Sequence, residues 1–146
     1  MHHTFASGAV LLPTATLPAY ERGGGARTTP LVTRELGASS FITGVTSFDA
    51  GVSIPFHSHN CEESVMLLEG AAILDIDGTA HALSLLDATF IPAGVPHRFR
   101  NASATRPMKI LWIYASPAAT RTLVDSGVTT PVALEHHTPH TAKDAS

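Results

Sequence analysis

The chain is poor in the residues that would commit it to several common functions. It has one cysteine, Cys61, in 146 residues, which excludes an internal disulfide framework and a cysteine-based zinc site. Charged residues make up 14%, against roughly 25% in an ordinary soluble protein, so the chain is no disordered polyelectrolyte and should bury most of itself. Nine basic and twelve acidic residues give a formal net charge of −3. No basic stripe is present to neutralise a phosphate backbone, and nucleic acid is not an expected partner. No apolar run reaches the ~18 residues of a membrane span. The segment 5–20 is apolar, but Pro13 and Pro18 break it and no positive stretch precedes it, so it does not read as a signal peptide. A cytoplasmic protein acting on a small molecule, away from membranes, is the expectation. What the chain has in excess is histidine, nine in all.

The length suits one domain, or one domain with tails. Residues 1–30 carry Pro13, Pro18, Gly23-Gly24-Gly25 and Pro30, too many breakers for a helix. They read as an extended N-terminal arm able to lie on a neighbouring subunit, and a homodimer is expected. From residue 31 the pattern turns to short β-rich runs at 31–36, 41–48, 54–59, 65–68, 71–77, 79–83, 89–91, 97–101 and 108–114. Asp77-Gly78 between two of them is a two-residue hairpin signal. Runs so closely spaced, with no long helix between them, predict an antiparallel sandwich or barrel over 31–115. Ser116 and Pro117 would cap and start a short C-terminal helix over 116–127, ended by Gly127. The remainder, 128–146, with His136, His137 and His140, reads as a flexible tail.

The histidines that matter lie inside the β-rich region. His57 and His59 are one residue apart, which in a strand puts both rings on one face. Carboxylates follow at Glu62 and Glu63, with Glu63 on the same strand parity as the two histidines unless Asn60-Cys61 turns the chain. In a second segment, Arg98 and Arg100 facing water would send His97, Phe99 and Asn101 inward. A His-x-His pair alone is ordinarily two histidines and nothing more. A third ring and a carboxylate change that, because three neutral imidazoles and one carboxylate suit a divalent first-row metal.

These residues fall into a pattern. Gly51, five residues, His57-x-His59, three residues, Glu63, six residues and Gly70 resemble the first motif of the cupin superfamily. Pro92-x-Gly94, two residues, His97, three residues and Asn101 resemble the second. That motif opens on a glycine, and this chain has Leu86 there, followed by Asp87. Glycine normally permits positive φ at that point, so a different turn is expected before Asp87. The resemblance implies an all-β cupin jelly-roll barrel, or double-stranded β-helix. It also implies that His57, His59, Glu63 and His97 hold one divalent transition metal (Fe, Mn, Ni, Zn or Cu). Glu62 is the rival carboxylate.

Around such an ion the expected pocket is apolar and partly aromatic. Trp112 and Tyr114 share a strand face with Met108 and Ile110, opposite Lys109, and with Phe56 and Phe99 they are the candidate walls, although core packing alone would also place them inside. Cys61 reads as a buried bystander. No arginine–lysine cluster marks a phosphate pocket. The family spans many reactions. The leading expectation is an oxidoreductase, a dioxygenase cleaving a C–C bond next to a carbonyl or enol. A metal-dependent lyase or isomerase is the enzyme alternative, and a non-catalytic small-ligand-binding cupin the third. No catalytic acid or base is assigned; Glu62, His81 and Tyr114 are nearest by chain position.

Overall fold

The computed structural model describes residues 2–136. Strands β1 (His3–Thr4) and β2 (Val10–Leu11) form a small ribbon, and a turn of 3-10 helix spans Thr14–Thr16. Then come β3 (Tyr20–Gly23), β4 (Ala26–Pro30), β5 (Ile42–Phe48), β6 (His57–His59), β7 (Glu63–Glu69), β8 (Ala72–Ile76) and β9 (Thr79–Leu83). They are followed by β10 (Ala88–Ile91), β11 (His97–Asn101), β12 (Met108–Tyr114), β13 (Thr120–Leu123) and β14 (Thr129–Pro131). A 3-10 helix over Val132–His136 ends the described chain. One six-stranded sheet runs β10-β7-β12-β5-β4-β3, the other β14-β13-β6-β11-β8-β9, and their strands pair antiparallel.

Strict alternation explains why the sheets close on each other. In β7, Glu63, Val65 and Leu67 are buried while the residues between them are only partly so. In β12, Met108, Ile110, Trp112 and Tyr114 face inward and Lys109 outward, beside Glu69. In β11 it is His97, Phe99 and Asn101. The inner faces of both sheets meet in one apolar cluster that includes Phe48, Leu67, Leu74, Phe99 and Met108. Each such side chain contributes roughly 1.5–3 kcal/mol on leaving water. On the outer face, Arg98 and Arg100 both bind Asp75 at 2.8 and 2.7 Å. Those hydrogen bonds, Arg100 first, hold the Asp75 carboxyl at about 2. Asn101 spends its side chain on loops: its amide donates to the carbonyls of Asp49 and Arg106, and its oxygen accepts from the Ser103 backbone.

The β-rich runs appear close to where the alternation put them, and Asp77 and Gly78 take the positive φ values, 54° and 74°, that a two-residue hairpin turn needs. Three expectations are corrected. First, the arm is not separate from the sheet. Gly23, Gly24 and Gly25 all have positive φ and turn a hairpin, so β3 and β4 extend the first sheet. Small residues Ala26 and Thr28 face inward there, and the Thr28 and Thr46 hydroxyls share a buried 2.8 Å hydrogen bond. The run at 31–36 becomes turns instead.

Second, 116–127 is no helix. Ser116 accepts a hydrogen bond from the Ala118 backbone as a cap would, but the chain then enters β13, which fills the open edge of β6. Strand pairing supplies backbone partners that override a weak local helix signal. The first part of the tail is docked too: β14 pairs with β13, and Val132 is buried. His137 and His140 lie outside the described residues. Third, Leu86 does not turn differently. It adopts φ 71° itself, as the motif's glycine would, and its N–H bonds the Leu67 carbonyl. Asp87 anchors the turn by accepting from Ser84 N–H at 2.8 Å.

Leu86 is well exposed, so its side chain contributes little packing while its backbone sits in the region that favours glycine. Leu86→Gly is expected to raise the unfolding free energy by about 1 kcal/mol, read from urea denaturation. A loss of stability would mean that the leucine side chain holds the turn.

Candidate metal centre

In the second sheet, β6 and β11 lie side by side and His57 is directly across from His97. The pleat of β6 sends His57 and His59 inward, both almost fully buried. The chain bends at Asn60-Cys61 and crosses to the first sheet. The Asn60 side chain pins that crossing, accepting from Thr120 N–H at 2.8 Å and donating to the Ala118 carbonyl. Glu63 then opens β7 and faces the histidines from the opposite sheet. Its burial follows from the alternation of β7 with Val65 and Leu67, not from parity carried over from β6. Glu62 is exposed. Cys61 packs half-buried against the core, and burial pushes its thiol up.

One ligand atom from each of His57, His59, Glu63 and His97 lies within 4.8 Å of all the others. Each imidazole is held from behind through Nδ1. That atom lies 2.8 Å from the Pro55 carbonyl in His57, 2.9 Å from Thr120 in His59 and 2.9 Å from Val95 in His97. A carbonyl only accepts, so each Nδ1 carries a proton, and in its neutral form each ring turns the Nε2 lone pair to the centre. There His59 Nε2 stands 3.1 Å from Glu63 Oε1, and His97 Nε2 stands 3.0 Å from Glu63 Oε2. Lone pairs therefore meet carboxylate oxygens, acceptor against acceptor. His59 Nε2 and Glu63 Oε1 are buried with no hydrogen-bond partner among the described residues. Burial, helped by Arg121, drives His57 down to about 2 and keeps it neutral. Burial pushes the Glu63 carboxyl up; Nε2–H donation from His59 and His97 would pull it down to about 2, but with their protons on Nδ1 the two rings have none to give. A cation at the centre resolves every one of these conflicts. Three nitrogens and one carboxylate fit a divalent first-row ion and do not choose among Mn, Fe, Ni, Cu and Zn.

The walls are tight. Tyr114 packs on the His59 ring at 4.4 Å and stacks with Trp112 at 4.8 Å. Burial pushes the Tyr114 phenol up, so it stays protonated. Trp112 Nε1 donates to Thr46 Oγ1 at 2.9 Å. Phe99 meets His97 edge-on. The void left beside His57 and Glu63 is only ≈ 10 Å³, room for about one water. Of the expected walls, Phe99, Trp112 and Tyr114 are therefore inside. Phe56 is not: it stands just before β6 on the outward-facing parity, 36% exposed, with Arg98 stacked 4.5 Å over its ring. His81 is exposed on β9 and, like Glu62, is remote from the interior. Tyr114 alone of the three acid–base candidates touches the cluster.

The sequence reading missed Arg121, because it placed that residue in a helix. On β13 it lies across from His59 and is 5% exposed. Its Nη2 is 3.4 Å from the Tyr114 hydroxyl, and its Nε is 3.1 Å from Glu135 Oε2. Arg22 of β3 approaches the same carboxylate at 3.5 Å. The alternation of β-branched Thr120 and Thr122 about Arg121 was the available signal for a strand.

Residues 44–114 match the family model described as Cupin domain. The polyketide synthase CurC of Streptomyces cyaneus is 37% identical over 87 residues, which are 58% of this chain and 54% of that protein. Protein SchB of Streptomyces halstedii is 38% identical over 85 residues, 58% of this chain and 61% of that one. The chain thus spans little more than half the length of these curated relatives. Among solved structures, an ethanolamine utilization protein Q from Salmonella typhimurium superposes with a TM-score of 0.69 at 21% identity, over 80% of this chain and 94% of its own. The polyketide cyclase RemF from Streptomyces resistomycificus does so with 0.66 at 22%, over 80% and 87%. At such identities the likeness to both is one of fold.

The indole of Trp112 lies flat over Gly44, its cross-strand partner, and a Cβ at Gly44 would fall inside the ring. Gly44→Ala is expected to cost about 1–3 kcal/mol as overpacking. Trp112 is the only tryptophan, so its emission reports the site. A red shift is expected as the indole is displaced, and unchanged emission and stability would show that the ring has room to move.

Proposed function

Since this chain belongs to the cupin superfamily, with a cupin-2 domain over residues 44–114, we propose that it is a metal-dependent enzyme acting on a small oxygenated molecule of polyketide type. One observation carries the reading: ligand atoms of three buried imidazoles and a buried carboxylate converge within 4.8 Å of one another, and His59 Nε2 and Glu63 Oε1 have no hydrogen-bond partner among the described residues. His57, His59, Glu63 and His97 would hold one divalent ion. When bound, the ion would supply Lewis acidity to a carbonyl or enol oxygen. The chain's own residues do the rest. The three carbonyls behind the imidazoles fix the rings, Tyr114 and Phe99 exclude water, and Tyr114 keeps a proton beside the cluster at neutral pH. The substrate class is supported by the relative named as a polyketide synthase. Rearrangement or cyclisation of a polycarbonyl compound needs no outside oxidant. The dioxygenase expected from the sequence stands as the second reading, favoured by a four-ligand set that leaves positions open on a six-coordinate ion.

Elemental analysis of reconstituted protein is expected to find one ion per chain. His57→Ala and His97→Ala should lose most of it, Glu63→Gln should weaken binding strongly, and Glu62→Gln should change nothing. A larger loss from Glu62→Gln would overturn the ligand assignment. Loaded protein is then offered diketones, hydroxyketones and phenolic ketones with and without oxygen. Anaerobic turnover is expected. Oxygen uptake would move the reading to the dioxygenase, and saturable binding without turnover would make the protein a binding cupin.

We also propose a homodimer. Strand β10 is a sheet edge, and Leu85, Leu86 and Phe90 stand exposed on it and its turn, an association-prone combination. Light scattering should give twice the 15.3 kDa of one chain. A value near 15.3 kDa at micromolar concentration would refute it.

A further inference from the structure

Beside the histidine cluster lies a second group of buried charges that the metal reading does not use. Arg121 from β13 and Arg22 from β3 converge on one carboxylate, Glu135 of the terminal 3-10 helix, at 3.1 and 3.5 Å. Two guanidiniums thus share one carboxylate in a place nearly closed to water, while the other carboxylate of the adjoining cleft, Glu21, lies 3.7 Å from Arg27. Arg121 is 5% exposed, yet its Nε and Nη1 make no hydrogen bond among the described residues. The Glu135 contact is close enough for an ion pair but poorly aimed at Nε. A buried guanidinium with unmet N–H groups is costly unless an anion completes it.

The location gives that cost a use. Arg22 and Arg121 line an outer cleft of ≈ 310 Å³ together with Glu135, Pro55 and Leu123. The same two arginines also line the inner void that holds His57 and Glu63. They therefore stand between solvent and the histidine cluster, and the inner void is too small for any substrate while they are pinned by Glu135.

We propose that Arg121 and Arg22 form a carboxylate-binding subsite, which Glu135 occupies in the resting protein and which a substrate carboxylate takes over by displacing it. The planar forks of two arginines match a carboxylate in two-point contact better than one sidelong glutamate does. Displacement would free the terminal 3-10 helix and open the cleft toward the cluster. The direction of docking rests on the metal-centred function proposed above; the subsite itself does not.

The test uses the full chain and two probes of similar shape, salicylate and the uncharged salicylamide, titrated calorimetrically with and without bound metal. In wild-type protein without metal, salicylate should bind at least about tenfold more tightly than salicylamide. Glu135→Gln removes the resident competitor and should tighten salicylate about tenfold, leaving salicylamide unchanged. Arg121→Gln should erase the preference. Should that variant fail to fold, as judged by circular dichroism, Arg22→Gln at the rim of the cluster should reduce the preference severalfold. Equal affinity for the two probes in wild-type protein would overturn the proposal. So would a Glu135→Gln variant that binds salicylate no better, because the three residues would then be only an anchor for the C-terminal segment. A chain that prefers salicylate but takes up no metal would keep the subsite and lose the metal-centred function. A chain that takes up metal without that preference would do the reverse.

Discussion

Three backbone carbonyls, those of Pro55, Val95 and Thr120, set the chemistry of this protein. Each accepts from an imidazole Nδ1, and so each dictates which nitrogen faces the centre. The constraint reaches outward into the fold. Pro55 and Val95 lie two residues before the histidines they hold, so those two rings are oriented by their own strands. Thr120 belongs to β13, so His59 is oriented only once the C-terminal strand has docked on β6. A neutral ring with a fixed tautomer is a good metal ligand, and the same arrangement is poor company for a carboxylate without a cation.

The opposite sheet supplies that carboxylate. Glu63 faces the rings because β7 buries every second residue, and β7 is held centrally between β10 and β12. Closure of the sandwich therefore does two jobs with one set of contacts: it forms the apolar core and it brings Glu63 to the histidines. Behind them, Tyr114 and Trp112 fill the space that a looser barrel would leave wet. Their stacking depends on the absence of a side chain at Gly44. The close packing keeps the interior dry, which strengthens electrostatic contacts and raises the cost of unpaired charge alike.

Much of this was legible in the residues. Period-two alternation located β11 and β12 at their observed bounds, because each has one wet and one dry face and a slip of one residue would expose the dry one; β9, exposed along nearly its whole length, was placed by the Asp77-Gly78 hairpin instead. The spacing of His57, His59, Glu63 and His97, read through the family resemblance, named the four residues that the fold gathers. Failures came where local signals were weak and a distant strand decided. Glycines at 23–25 read as a breaker because their hairpin partner lies within the same short segment. Ser116-Pro117 looked like a helix start because nothing local shows that β6 has an open edge. Phe56 was drawn into the pocket by its neighbours, although the pleat that turns His57 inward must turn Phe56 outward.

What the sequence determined by itself was therefore the periodic and the spaced: strands, their faces, the hairpin at Asp77-Gly78 and the set of candidate ligands. These depend on neighbours along the chain. Tertiary structure alone decided which sheet each strand joins, that Glu63 arrives from across the sandwich, and that Leu86 takes a glycine's conformation. It also decided that Arg22, Arg121 and Glu135 meet. Those three lie more than a hundred residues apart end to end in numbering, from 22 to 135. The pairing of β13 with β6 and β14, and the packing of the terminal 3-10 helix on β3 and β4, bring them together, since burial and charge act through space while sequence pattern reports only what is adjacent.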